Sequence, residues 1–109
     1  MRQVKPEGPR IYKDKLYQDG AESIMVGSTS WQVWLAEEKA REFAFRAEDG
    51  SWHRARREMR RDNAYWYVAC RVGGRVRRFY LGAAQTLDCT RLMSVAAAIT
   101  AAREADSEG

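Results

Sequence analysis

Trp66, Val68, Cys70 and Val72 fall at every second position, and Gly73-Gly74 follows at once. Side chains alternate between two sides only in an extended strand, so this set predicts a strand with one buried face. Two adjacent glycines accept positive φ without steric cost, which a tight two-residue turn needs. The chain is therefore expected to fold back, with Arg75–Leu81 returning as the partner strand and Gly82 closing it. Upstream, Phe43 and Phe45 alternate with Glu42, Ala44 and Arg46, which predicts a strand over Arg41–Ala47. Glu48-Asp49-Gly50 is a hairpin signal, and a further strand is expected over Ser51–Arg60 before Asp62-Asn63-Ala64 breaks it ahead of Tyr65–Val72.

Two helices bracket these strands. Ser28, Thr29 and Ser30 precede Trp31, Trp34 and Leu35, which lie at i, i+3 and i+4 and would be buried together. Glu37, Glu38 and Lys39 finish that short helix on the solvent side. Asp88 is a good N-cap for a longer helix carrying Leu92, Val95, Ala96 and Ile99 on one stripe. The expected fold is α+β: a three- to four-stranded antiparallel meander, one long C-terminal helix packed on one face, and a short N-terminal helix. Residues 1–22 hold both prolines and no clear period, and are expected to form a flexible arm. Arg10, Lys13 and Lys15 in it would either trail along DNA or be solvated. Residues 23–105 form the single domain, and 106–109 a disordered acidic tail.

Charge is segregated along the chain. Between Ser51 and Leu81 stand nine arginines and two carboxylates, Glu58 and Asp62, whereas the remaining residues hold ten Lys/Arg against thirteen acids. Unopposed positive charge destabilises a fold through self-repulsion, so its concentration points to an anionic partner. Every base in that window is arginine, whose planar fork grips phosphate or a guanine edge through two donors.

The candidate DNA-binding residues are Arg54, Arg56, Arg57, Tyr65, Tyr67, Arg71, Arg75, Arg77 and Arg78. Tyr65, Tyr67 and Arg71 lie opposite the apolar set of their strand. The two tyrosines would contact sugar and phosphate or merely stabilise cross-strand pairs. In the strand before, alternation sets Trp52, Arg54 and Arg56 against His53, Ala55 and Arg57. In the last strand it sets Val76, Arg78 and Tyr80 against Arg75, Arg77, Phe79 and Leu81. Alternation alone leaves open which sets are buried. A bulge near Gly73-Gly74 would bring Phe79 and Leu81 into the core while both arginine sets stay in solvent.

Other chemistries find little footing. His53 is the single histidine, no nucleophile–base pair stands out, and Glu58 and Asp62 lie among arginines that keep them ionised. No phosphate-loop, dinucleotide or zinc spacing occurs, so a non-enzymatic role without cofactor or metal is expected. Cys70 and Cys89 read as two structural thiols of a reducing compartment. With no apolar run of about 18 residues and no signal-type N-terminus, a cytoplasmic location off the membrane is expected.

Tyr65-Trp66-Tyr67-Val68-Ala69, Gly73-Gly74-Arg75-Val76-Arg77-Arg78, Tyr80-Leu81-Gly82, Leu87, Arg91-Leu92 and Val95-Ala96-Ala97-Ala98 occur in this order. With Val26-Gly27, Trp31, Trp34-Leu35, Phe43-Ala44-Phe45 and Ala55-Arg56-Arg57-Glu58 upstream, the set covers roughly residues 24–100. It resembles an N-terminal segment of bacterial LuxR/MalT-type transcriptional regulators and short stand-alone relatives. The helix-turn-helix and ATPase parts of such regulators have no counterpart in these residues. More distantly, the Tyr-Trp-Tyr strand, glycine turn, basic strand and helix resemble the arm-type DNA-binding domain of phage-integrase tyrosine recombinases. That resemblance implies a sheet set in the major groove and a DNA-contact role for Tyr65, Tyr67, Arg71, Arg75, Arg77 and Arg78. The expectation is a double-stranded DNA-binding module with an accessory or regulatory role in transcription or a mobile element. The competing expectations are a protein-interaction module that docks, or self-associates, through an aromatic and arginine-rich sheet face, and single-stranded nucleic-acid binding with Tyr65 and Tyr67 as stacking platforms.

Overall fold

The fold comes from a computed structural model that describes residues 8–38 and 40–108. Three short strands come first, β1 (Arg10–Tyr12), β2 (Lys15–Tyr17) and β3 (Ile24–Met25), followed by helix α1 (Thr29–Ala36). Four longer strands follow, β4 (Glu42–Arg46), β5 (Trp52–Arg60), β6 (Asn63–Val72) and β7 (Arg75–Ala83). A 3-10 turn at Ala84–Thr86 leads to helix α2 (Cys89–Glu108). All seven strands form one sheet in the order β3-β2-β1-β4-β5-β6-β7.

The expected three- to four-stranded antiparallel meander is therefore corrected to a seven-stranded mixed sheet. Its C-terminal part, β4 to β7, runs antiparallel throughout, but β1 lies parallel to β4 with Arg10 beside Ala44 and Ile11 beside Phe45. Arg10–Tyr12 and Lys15–Tyr17, within the expected arm of residues 1–22, are thus strands of the sheet. Each short strand donates one inward side chain, and Ile11 and Leu16 are fully buried. The backbone of residues 106–108 continues α2 instead of forming a disordered tail. Residues 1–7 of the expected arm, Lys39 and the last tail residue lie outside the described residues.

Both helices cover the same side of the sheet. The inward set of the strands (Ile11, Leu16, Phe43, Phe45, Ala55, Trp66, Val68, Leu81) joins Trp31, Trp34 and Leu35 of α1 and Leu92, Val95 and Ile99 of α2 in one core. The shortest molecular extent, 21 Å, corresponds to two layers about 10 Å apart. Ser28 caps α1 by accepting from the Trp31 amide at 3.2 Å, as the hydroxyl cluster before the apolar stripe predicts. Asp88 caps α2 through its Oδ1 and the Arg91 amide at 2.9 Å.

Gly73 and Gly74 take φ of 61° and 79°, so the β6–β7 hairpin turns where the glycine pair predicts. The bulge, however, lies between Trp66 and Tyr67, opposite Leu81, and not near the glycines. It lets Leu81 point inward and still leaves Gly82 paired with Trp66. At Gly82, with φ of 108°, an added Cβ would meet Thr86 Oγ1 at 3.3 Å, so the position suits glycine alone.

His53 is a buried polar side chain on the helix side, against Phe45 at 5.5 Å. Ser51 Oγ lies 2.6 Å from Asp49 Oδ1 and 3.2 Å from His53 Nε2. The single hydroxyl proton goes to the carboxylate, so Nε2 of a neutral imidazole must donate to Oγ. Burial first, and then the charge of Arg103, push the imidazole below its usual value of 6.5, against the opposing pull of Asp49. A depressed imidazole contributes stability above the unfolded-state value and loses it as the pH falls. The melting temperature is therefore expected to drop as the pH is lowered from about 6.5, and His53→Leu is expected to flatten that drop. An unchanged pH profile in the variant would refute the assignment.

Candidate nucleic-acid interface

Cross-strand pairing sorts the arginines, because residues opposite one another share a face. Glu42 pairs with Arg56, Arg56 with Tyr67 and Tyr67 with Tyr80, so this row lies on the side away from the helices. Alternation from it adds Arg46, Trp52, Arg54, Glu58, Arg60, Tyr65, Arg71, Val76 and Arg78 to the helix-free face. From β4 to β7 that face carries six arginines (46, 54, 56, 60, 71, 78) and two carboxylates (Glu42, Glu58). Arg10 and Lys15 extend it across β1 and β2, beside Tyr12 and Tyr17.

Of the nine expected residues, the structure brings together Arg54, Arg56, Tyr65, Tyr67, Arg71 and Arg78 on this face. Arg57, Arg75 and Arg77 lie on the other. Arg57 is taken up by the fold: its Nη1 and Nη2 donate to the carbonyls of Glu37 and Glu38 at 2.8 and 2.9 Å, just past the end of α1. The Glu37 carbonyl also accepts from the Ala40 amide at 3.0 Å, and the guanidinium ties β5 to the chain as it leaves α1. Arg57→Ala is expected to cost about 1–2 kcal/mol of stability, seen in denaturant melts, with no change in DNA affinity. Arg75 and Arg77 flank the exposed end of the β6–β7 ribbon, where Arg77 lies 5.2 Å over the Phe79 ring. They stay in solvent because the ribbon runs past β5: β5–β6 pairing begins at Ala55 and Val68, whereas β6 and β7 stay paired to Val72 and Arg75.

Tyrosine rings lie beneath several of the guanidiniums. Arg78 lies 4.4 Å above Tyr67, Arg60 5.4 Å above Tyr80, and Arg46 5.4 Å above Tyr12. Such stacking leaves the N–H edge of the fork available while restricting its rotamers. Glu58 ties two of them together, with Oε1 3.0 Å from Arg78 Nη1 and Oε2 3.3 Å from Arg60 Nε. Arg60 Nη2 also donates to the Tyr80 hydroxyl at 2.7 Å. The hydrogen bond from Arg78, with help from Arg60, holds the Glu58 carboxyl below the usual carboxylate range. Arg54 donates to Glu42 at 2.9 Å, whereas no carboxylate lies within ion-pair distance of Arg56 or Arg71 among the described residues.

Sequence reasoning passed over Glu58, Arg60 and Tyr80 as members of the site. The alternation of Val76, Arg78 and Tyr80 was the signal for Tyr80. The order of β5, β6 and β7 follows from their turns, but the meeting of Glu58 with Arg78 depends on exact register, which local alternation does not encode.

At the start of α2, burial and the nearby Asp14 and Asp88 carboxylates push the Cys89 thiol up. Cys70 and Cys89 are both free. Among the described residues no three His, Cys, Asp or Glu side chains gather closely enough to hold a metal ion, and no helix is long and apolar enough to cross a membrane. Comparison of the chain with protein-family models, with curated proteins and with solved structures finds no match.

Proposed function

We propose that this chain binds double-stranded DNA, without catalysing a reaction, through the helix-free face of β5, β6 and β7, as an accessory or regulatory factor. The observation that supports it most is the gathering of Arg54, Arg56, Arg60, Arg71 and Arg78 from three adjacent strands on one uncovered surface. The whole sheet, seven strands at about 4.8 Å spacing, is roughly 29 Å wide and too broad for a major groove of about 12 Å. The free end of the β6–β7 ribbon is two strands wide and fits such a groove. Its helix-free side presents Arg71, Val76 and Arg78. Arg54 and Arg56 on β5 then fall against the flanking backbone, where charge matters more than orientation.

Five arginines against one glutamate on these three strands leave charge to neutralise about four phosphates, so log affinity against log salt is expected to slope at about −3.6. Between about 50 and 200 mM salt that is a fall of about 150-fold, readable by fluorescence anisotropy of a labelled duplex. Affinity flat across that range, or retention only by acidic proteins after nuclease treatment, would turn the assignment toward a protein partner.

A further inference from the structure

We infer that Arg78 is the residue through which this face reads sequence, and that it reads guanine from the major-groove side, with Glu58 as its positioning residue. The inference rests on the duplex-binding proposal and goes beyond it by separating the arginines into two kinds. A phosphate contact asks only for a positive charge within reach, and a mobile guanidinium serves. Reading O6 and N7 of guanine asks for a fork held in one plane and one direction before the DNA arrives.

Two guanidiniums on the face, Arg78 and Arg60, meet both a tyrosine ring and Glu58; Arg60 also gives Nη2 to the Tyr80 hydroxyl, and Arg78 lies closer to its ring. Tyr67 supports Arg78 from below at 4.4 Å, the shortest cation–ring distance on this face. Glu58 engages Nη1 from the side at 3.0 Å, one of five N–H donors that the group carries. The other Glu58 oxygen forms an ion pair with Arg60 Nε at 3.3 Å, without a hydrogen bond, so positive charge flanks the carboxylate on both sides. The three side chains come from three strands, β5, β6 and β7, whose pairing sets their spacing. Arg56 and Arg71 have no carboxylate or ring contact of this kind among the described residues, which leaves them suited to phosphates. Glu58 also explains its own presence here: a carboxylate amid arginines weakens attraction to DNA, and orientation of the reading group offsets that loss.

The test uses the full chain and a pool of duplexes with a randomised core of about 12 base pairs, selected by binding and sequenced. The wild type is expected to enrich guanine at a fixed position. Replacing that guanine with 7-deazaguanine should weaken binding about tenfold or more, since a good two-donor contact to guanine discriminates by that much. Arg78→Lys keeps the charge but loses the fork, so it should keep the salt slope and lose the guanine preference. Glu58→Ala should bind arbitrary duplexes more tightly and the selected one with less preference, two opposite movements that a purely structural role would not produce. Guanine preference retained in Arg78→Lys overturns the inference, as does a wild type that binds DNA with no preference, which leaves duplex binding intact. Failure of the wild type to bind any duplex at low salt instead removes the duplex proposal itself, and this inference with it.

Discussion

A variant with Arg54, Arg56 and Arg71 all replaced by alanine is expected to bind duplex DNA about 500-fold more weakly than the wild type at 0.1 M salt. The size follows from counterion release. Each neutralised phosphate contributes about 0.9 to the slope of log affinity against log salt, so three lost contacts remove about 2.7 logarithmic units at 0.1 M relative to 1 M. All three side chains lie on the helix-free face and carry no core contact, so the melting temperature should stay within a few degrees. The informative partner is the double variant with Arg75 and Arg77 replaced, on the opposite side of the same ribbon. It removes charge a short distance away and is expected to weaken binding less than about fivefold. Comparable losses per charge in the two variants would mean that total charge, and not the face, drives binding.

The second large effect concerns the fold. Trp31→Ala is expected to lower stability by about 4 kcal/mol and the melting temperature by about 20 °C. Trp31 is fully buried and stacks on Trp34 with ring centroids 5.8 Å apart, while Phe43 meets it edge-on at 5.5 Å. Its indole N–H donates to the carbonyl of Leu87 at 2.8 Å, joining α1 to the segment that leads into α2. Removal opens a cavity and strands a buried carbonyl, and a domain of this size has only about 5–15 kcal/mol to lose. Trp52→Ala, on the helix-free face and half-buried, should shift the melting temperature by a few degrees at most. Thermal melts of the two variants side by side separate a core tryptophan from a surface one; equal shifts would contradict the layer assignment.

How much of this was legible in the chain depends on how many side chains each element commits to the core. β6 shows three or four apolar residues in strict alternation and α2 a full stripe, so both stand out from sequence. β1 and β2 bury one residue each, Ile11 and Leu16, and a single residue has no period. Their turn was silent as well, because Lys13 takes the positive φ of 60° that glycine or asparagine would have signalled. The parallel pairing of β1 with β4 closes only after β2, β3 and α1 have been traversed, and local signals do not reach that far.

For the site, outward alternation placed Tyr65, Tyr67 and Arg71 correctly because the inward set of β6 was unambiguous. On β5 and β7 both sets contain arginine. There the decision is made by packing: Ala55 faces the core on β5, Phe79 and Leu81 pack inward on β7, and arginines of the same parity are carried along. Arg57 illustrates the cost of reading charge alone. It belongs to the basic run in sequence and, in space, ties β5 to the chain as it leaves α1.

Duplex binding by this chain requires DNA to meet the sheet on the side the helices leave bare. Backbone and arginine side-chain NMR resonances followed while a short duplex is added test this directly. The largest shifts are expected at Arg54, Arg56, Arg71, Arg78, Tyr67 and Tyr80, with α1 and α2 nearly unmoved. Shifts concentrated on the exposed surface of α2, or spread evenly over both layers, would contradict it.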